Sequence, residues 1–128
     1  MEGEAFFLDT YAIYELLKGN EAYVRFLGGI RLITTKLNLM EAYYITWTKK
    51  GGAYAEIVFE KFNSFCVDIG DDDFREAMRF KAQIRKLNPR SNLSYIDAVG
   101  YTVAKRYKVK FLTGDHEFRG VENVEFVQ

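Results

Sequence analysis

Four acidic residues, Asp9, Glu41, Asp97 and Asp115, sit where side chains distant in the chain can be gathered in one place. Asp9 ends an apolar run, and Asp115 lies two residues beyond another, Lys110 to Thr113. Asp97 stands in the first turn of the helical stretch leading into that second run, and Glu41 in a helical stretch after a β-branched run. Four carboxylates pressed together repel one another and raise each other's pKa unless a cation neutralises them. The economical cation is Mg²⁺ or Mn²⁺. Such ions take oxygen ligands and retain water, and in paired sites they orient a water nucleophile while stabilising the leaving oxygen of a phosphodiester. This chemistry needs no nucleophilic Ser or Cys and no His base. The chain has one His, His116, and one Cys, Cys66, and offers no convincing His-containing triad and no zinc set.

Each acid also has a plainer reading. Asp97 fits the S-x-x-D capping box begun by Ser94, Asp115 a turn after Gly114, Asp9 a polar strand end, and Glu41 a solvated helix position. With eighteen acids in the chain, spacing alone leaves both readings open.

The elements that must position these acids alternate from end to end, as in an α/β domain with a mostly parallel sheet. Five strands are predicted: Ala5 to Asp9, Ile30 to Thr34, Phe65 to Ile69, Lys110 to Thr113 and Val124 to Val127. Thr10 can cap the first helix, with Ile13, Leu16 and Leu17 inward and Lys18-Gly19-Asn20 as its stop; Asn20 caps a short second helix ending at Gly28-Gly29. Thr35 opens a third, in which Leu37, Met40, Tyr43, Tyr44 and Trp47 fall on one stripe with Glu41 at its edge; helical spacing favours core packing for it, with partner contact or base stacking by Tyr43, Tyr44 and Trp47 as the alternative. Gly51-Gly52 breaks it, and an amphipathic stretch follows to Phe62. Asp71-Asp72-Asp73 suits the start of the next helix, which runs to about Leu87. Ser94 starts the last, with Ile96, Val99, Val103 and Tyr107 on one side and Gly100 allowing close packing. If the winding reverses between the first and fourth strands, their carboxyl ends form the crevice where doubly wound folds bind ligands.

Composition narrows the classes. One hundred and twenty-eight residues, 48% hydrophobic and 16% aromatic with a single proline, make one domain over residues 1–128 and no disordered or low-complexity linker. A lone cysteine gains nothing from an oxidising compartment, and the acidic start Met1-Glu2-Gly3-Glu4 fits neither a secretory signal nor a membrane span. The expectation is a cytoplasmic protein. Cys66, in an apolar run, is expected as a small core residue, and His116 as a solvated turn residue.

The residues around these acids resemble the PIN-domain family. The resemblance rests on Phe6-Phe7-Leu8-Asp9-Thr10, Asn38-Leu39-Met40-Glu41, Leu93-Ser94-Tyr95-Ile96-Asp97-Ala98 and Phe111-Leu112-Thr113-Gly114-Asp115-His116-Glu117-Phe118, in that order over nearly the whole chain. The length is similar to small stand-alone members, including the VapC-like toxins. The resemblance implies a single doubly wound domain, a five-stranded parallel sheet with helices on both faces. It also implies an endoribonuclease using Mg²⁺ or Mn²⁺, with Asp9, Glu41, Asp97 and Asp115 as the metal-holding acids and Thr10 and Thr113 as supporting hydroxyls. A place among the toxins would imply a small antitoxin protein bound over the helices near the site, and a homodimer. Tyr11 departs from the pattern, since many members carry a small polar residue there.

Net charge is zero, which argues against a binder held by an overall basic field, but ten Lys or Arg lie between Arg75 and Lys110 against only Glu76 and Asp97. That segment can be a solvated pair of helix faces. Alternatively Arg75, Arg79 and Lys86, with Arg90 and Arg106, steer an RNA backbone toward the acids without reading its sequence. Two rival classes remain: a non-catalytic PIN-like binding module, and a receiver-type signalling domain using Asp68 and Thr113. The second lacks an acid pair after the first strand and a lysine beyond the fourth. No G-x-x-x-x-G-K-[ST] loop occurs, so a P-loop hydrolase is excluded.

Overall fold

The computed structural model describes residues 4–128; Met1 to Gly3, which open the acidic N-terminal run, lie outside the described residues. Four strands form one parallel sheet: β1 (Ala5–Leu8), β2 (Arg31–Ile33), β3 (Lys110–Thr113) and β4 (Val124–Phe126), in the order β2-β1-β3-β4. Phe7 pairs with both Ile33 and Phe111, so β1 is central. The chain winds one way from β1 to β2 and returns to the other side of β1 with β3. The crossover point therefore lies between the carboxyl ends of β1 and β3.

The expected strand Phe65 to Ile69 is the one missing from the sheet. It reduces to a single parallel bridge between Thr34 and Cys66, supported by Val67 N–H donating to the Thr34 carbonyl at 2.8 Å. A 3₁₀ turn, Asn63–Phe65, takes its first residue, and Asp68-Ile69-Gly70 leads straight into the next helix, leaving no length for a ladder. Cys66 is half-buried against the core, and burial pushes its thiol up.

Helices cover both faces: α1 (Thr10–Lys18), α2 (Glu21–Val24), α3 (Lys36–Lys50), α4 (Gly52–Phe62), α5 (Asp71–Leu87) and α6 (Tyr95–Arg106). Alternation along β1 sends Phe6 and Leu8 into one core with Ile13, Leu39, Val58 and Phe62, and Phe7 into another with Val99, Val103 and Phe111. Gly100 is needed on the second side, because a Cβ there would stand 3.0 Å from the Phe7 ring.

Two local expectations change. Asp9, not Thr10, caps α1: its extended backbone lets the carboxylate accept from Ala12 N–H at 2.7 Å, so the helix begins at Thr10. On α3 the inward face is Asn38, Leu39, Ala42 and Thr46, while Met40, Tyr44 and Trp47 are 56%, 67% and 53% exposed. Met40, Tyr44 and Trp47 therefore face out, whereas Leu37 packs against the core and Tyr43 is half-buried. The smaller side chains take the inside because α3 packs closely against α4 and α1, and Thr46 returns its hydroxyl to the Ala42 carbonyl.

Candidate active site

The four acids are delivered by four different elements. Asp9 follows β1 as the cap of α1, Glu41 projects from α3, Asp97 sits in the first turn of α6, and Asp115 follows β3 as the cap of a 3₁₀ turn, His116–Phe118. All four line one cavity of about 400 Å³ together with Thr10, Tyr11, Ile45, Gly114 and His116. The cavity opens at the crossover point between β1 and β3, as the doubly wound fold requires.

Local bonding fixes each acid. Asp9 is 1% exposed; beyond its cap bond it accepts from the Thr113 hydroxyl, the last residue of β3. The same hydroxyl oxygen accepts from Asp115 N–H at 3.0 Å, and Asp115 in turn accepts from Glu117 N–H at 3.0 Å. Ser94 caps α6 by accepting from Asp97 N–H at 3.0 Å. Thr10 is buried, and its hydroxyl is held by Asn38 Nδ2 at 3.3 Å rather than by an acid.

Electrostatics follow from this packing. Burial drives the Asp9 carboxyl well above the usual carboxylate range, against the hydrogen bonds from Thr113 and Ala12, and the charges of Asp97 and Asp115 add to the rise. Burial pushes Asp97 up to about 6, opposed by Ser94 and reinforced by Asp115, Glu41 and Glu117. The pocket thus concentrates negative charge that a cation would neutralise. Among the described residues no three His, Cys, Asp or Glu side chains converge closely enough to hold an ion by themselves. The carboxylate oxygens fit a cation of the Mg²⁺ kind, which keeps several waters and uses one or two carboxylates directly.

A model of the PIN domain family matches residues 6–124, almost the whole described chain. The chain belongs to the PIN domain family. Solved structures share its architecture at low identity. VapC20 of Mycobacterium tuberculosis, a sarcin-ricin loop cleaving toxin, superposes with a TM-score of 0.75 at 16% identity, over 96% of this chain and 99% of that one. A toxin–antitoxin complex from Klebsiella pneumoniae gives 0.71 at 15%, over 93% and 94%. VapBC2 of Rickettsia felis, bound to a DNA fragment from its promoter, gives 0.75 at 13%, over 97% and 99%. No curated protein sequence matches the chain.

None of the five cations singled out in the sequence lines the acid pocket of this PIN domain. Arg106 is committed elsewhere: its guanidinium donates to both carboxylate oxygens of Asp73 at 2.8 and 2.9 Å and to the Asp68 carbonyl at 2.9 Å, at the opposite end of α6 from Asp97. Arg75 and Arg79 pair with Asp72 and Glu76 one turn earlier on α5, while Lys86 and Arg90 are exposed beyond them. Sequence reasoning missed Asn38, which holds Thr10, and Ile45, one turn after Glu41 on the pocket wall. The Asn38-to-Glu41 spacing was the available signal: residues three apart share one side of a helix, so Asn38 reaches Thr10 behind the pocket while Glu41 lines it. His116 lines the pocket as well, with its ring 5.9 Å from that of Phe126.

Proposed function

We propose that this PIN domain is a metal-dependent endoribonuclease that hydrolyses RNA phosphodiesters, working as the toxin of a toxin–antitoxin pair. The observation that carries the reading is the delivery of Asp9, Glu41, Asp97 and Asp115, from four elements, to one cavity at the sheet crossover. Asp9, Asp97 and Asp115 are the ligands for Mg²⁺ or Mn²⁺, directly or through water, and Glu41 is a ligand or water orienter. When bound, the ion supplies an activated water nucleophile and charge stabilisation at the leaving oxygen. Thr113 holds Asp9 and the Asp115 backbone in one arrangement, and Thr10, fixed by Asn38, supports the pocket wall.

Arg75, Arg79, Lys86 and Arg90 are proposed to lie outside the chemistry, offsetting the repulsion between an acidic pocket and a polyanion. Met40, Tyr44 and Trp47, spaced i, i+4, i+7 on α3 and all exposed, form an apolar stripe proposed to meet a protein partner, either a small antitoxin or a second copy of the chain. No helix among the described residues is long and apolar enough to cross a membrane, and the protein is proposed to act in the cytoplasm.

Cleavage of single-stranded RNA with Mg²⁺ or Mn²⁺, with and without chelator, tests this reading on the parent, Asp9→Asn and Asp97→Asn. Chelator-sensitive cleavage by the parent alone supports it. A protein that binds RNA but never cuts it would be the non-catalytic module instead.

A further inference from the structure

Among the described residues Tyr11 is the one large aromatic side chain on the wall of the acid pocket, and it stays 43% exposed while its neighbours Asp9 and Thr10 are buried. Its ring is seated from behind. Tyr23, itself fully buried, lies 5.9 Å away between ring centroids and is locked by donating its hydroxyl to the Val127 carbonyl at 2.5 Å. Gly114 leaves the room: a Cβ there would come within 2.6 Å of the Tyr11 ring and within 2.7 Å of the Tyr23 hydroxyl. The exposed ring thus borders the cavity that Asp9 and Asp115 also line, where Ile45 adds a second apolar wall.

We infer that Tyr11 is a nucleobase platform: it stacks an unpaired base next to the scissile phosphate and so selects single-stranded or looped RNA. The inference rests on the ribonuclease reading above. A phosphodiester entering this pocket meets four carboxylates, so the approach needs a handle that carries no negative charge. Cations beside the acids would compete with the metal, whereas an aromatic face contributes attraction through stacking alone, and it does so for any base. A paired base has both faces covered by its neighbours and can give none to Tyr11. Discrimination against duplex follows without contact to a base edge.

The test separates stacking from turnover. RNA oligonucleotides carrying 2-aminopurine, unpaired or within a duplex, are titrated in Mg²⁺ against Asp97→Asn protein with Tyr11 kept, changed to Phe, or changed to Leu. The expected result is quenching of the unpaired probe by the Tyr11 and Phe proteins, with the Leu protein binding about tenfold more weakly. In the otherwise native chain, Tyr11→Leu raises KM by a similar factor with kcat nearly kept, and Tyr11→Phe matches the parent. Equal quenching by the Leu protein, equal affinity for paired and unpaired probes, or a loss with Phe as large as with Leu would overturn the inference. Quenching of the expected kind in a protein that never cleaves would leave the platform standing and remove the nuclease reading.

Discussion

The Thr113 hydroxyl donates to the carboxylate of Asp9 across 104 positions of sequence, joining the carboxyl ends of β1 and β3 under the acid pocket. Because its oxygen also accepts from Asp115 N–H, one buried hydroxyl sets the separation of two of the four acids. Thr113→Val keeps the shape and leaves both partners unmatched, an expected loss of about 1–3 kcal/mol in denaturant unfolding together with loss of cleavage. Thr113→Ser retains the hydroxyl and is expected to keep most of both.

Protonation of the acids gives a signed pH effect. The folded state raises Asp97 from 3.8 to about 6, so across that interval the native protein binds more protons than the unfolded chain. This contribution favours folding below the interval and is lost as pH rises through it. Without divalent ions, Asp97→Asn is therefore expected to gain stability over the parent as pH is raised, read as a widening gap between their melting midpoints. Adding Mn²⁺ narrows the gap, since the ion stabilises the parent by binding its folded state. A gap independent of pH would show that Asp97 carries no such penalty.

Gly114 is required by close approach. A methyl group there would also stand 2.6 Å from the Val127 carbonyl oxygen, a backbone atom that cannot swing aside. Gly114→Ala is expected to destabilise by about 1–3 kcal/mol in thermal or denaturant unfolding, as overpacking does elsewhere, and to displace Tyr11.

Arg106 belongs to the scaffold. Asp73 is 4% exposed and receives two guanidinium bonds, which hold its carboxyl below the usual range despite burial. Arg106→Met is expected to cost about 1–2 kcal/mol, discounted for the half-exposed arginine, and to leave RNA affinity within about twofold of the parent. Arg75→Gln with Arg79→Gln is expected to do the reverse: stability hardly moves, and the dependence of RNA binding on salt becomes shallower. Salt titrations of binding, paired with unfolding curves, distinguish the two sets.

The parts of this architecture set by local chemistry were legible in the sequence. Asn20, Thr35 and Ser94 cap helices as their hydroxyl or amide side chains predict, and Ile13 and Leu16 turn inward. Asp9 and Asp115 could be placed at one crevice because a parallel sheet presents its strand ends together. What was hidden depended on tertiary choice. On α3 the aromatic stripe competed with a face of smaller, partly polar side chains, and packing against α4 and α1 put Ala42 and Thr46 inside and Trp47 outside. The third expected strand failed for want of length, with a 3₁₀ turn over its first residue and Gly70 after. The pairing of Arg106 with Asp73 was not legible, because the two lie 33 residues apart.

The acids of four separate elements are proposed to form one binding site for a divalent cation. Titration of Mn²⁺ at neutral pH, followed by electron paramagnetic resonance of the free ion, tests it on the parent, Asp9→Asn, Asp97→Asn and the scaffold variant Arg106→Met. Saturable binding by the parent and by Arg106→Met, weakened about tenfold or more by either Asp→Asn change, is the predicted result. Identical isotherms for all four proteins would contradict the claim.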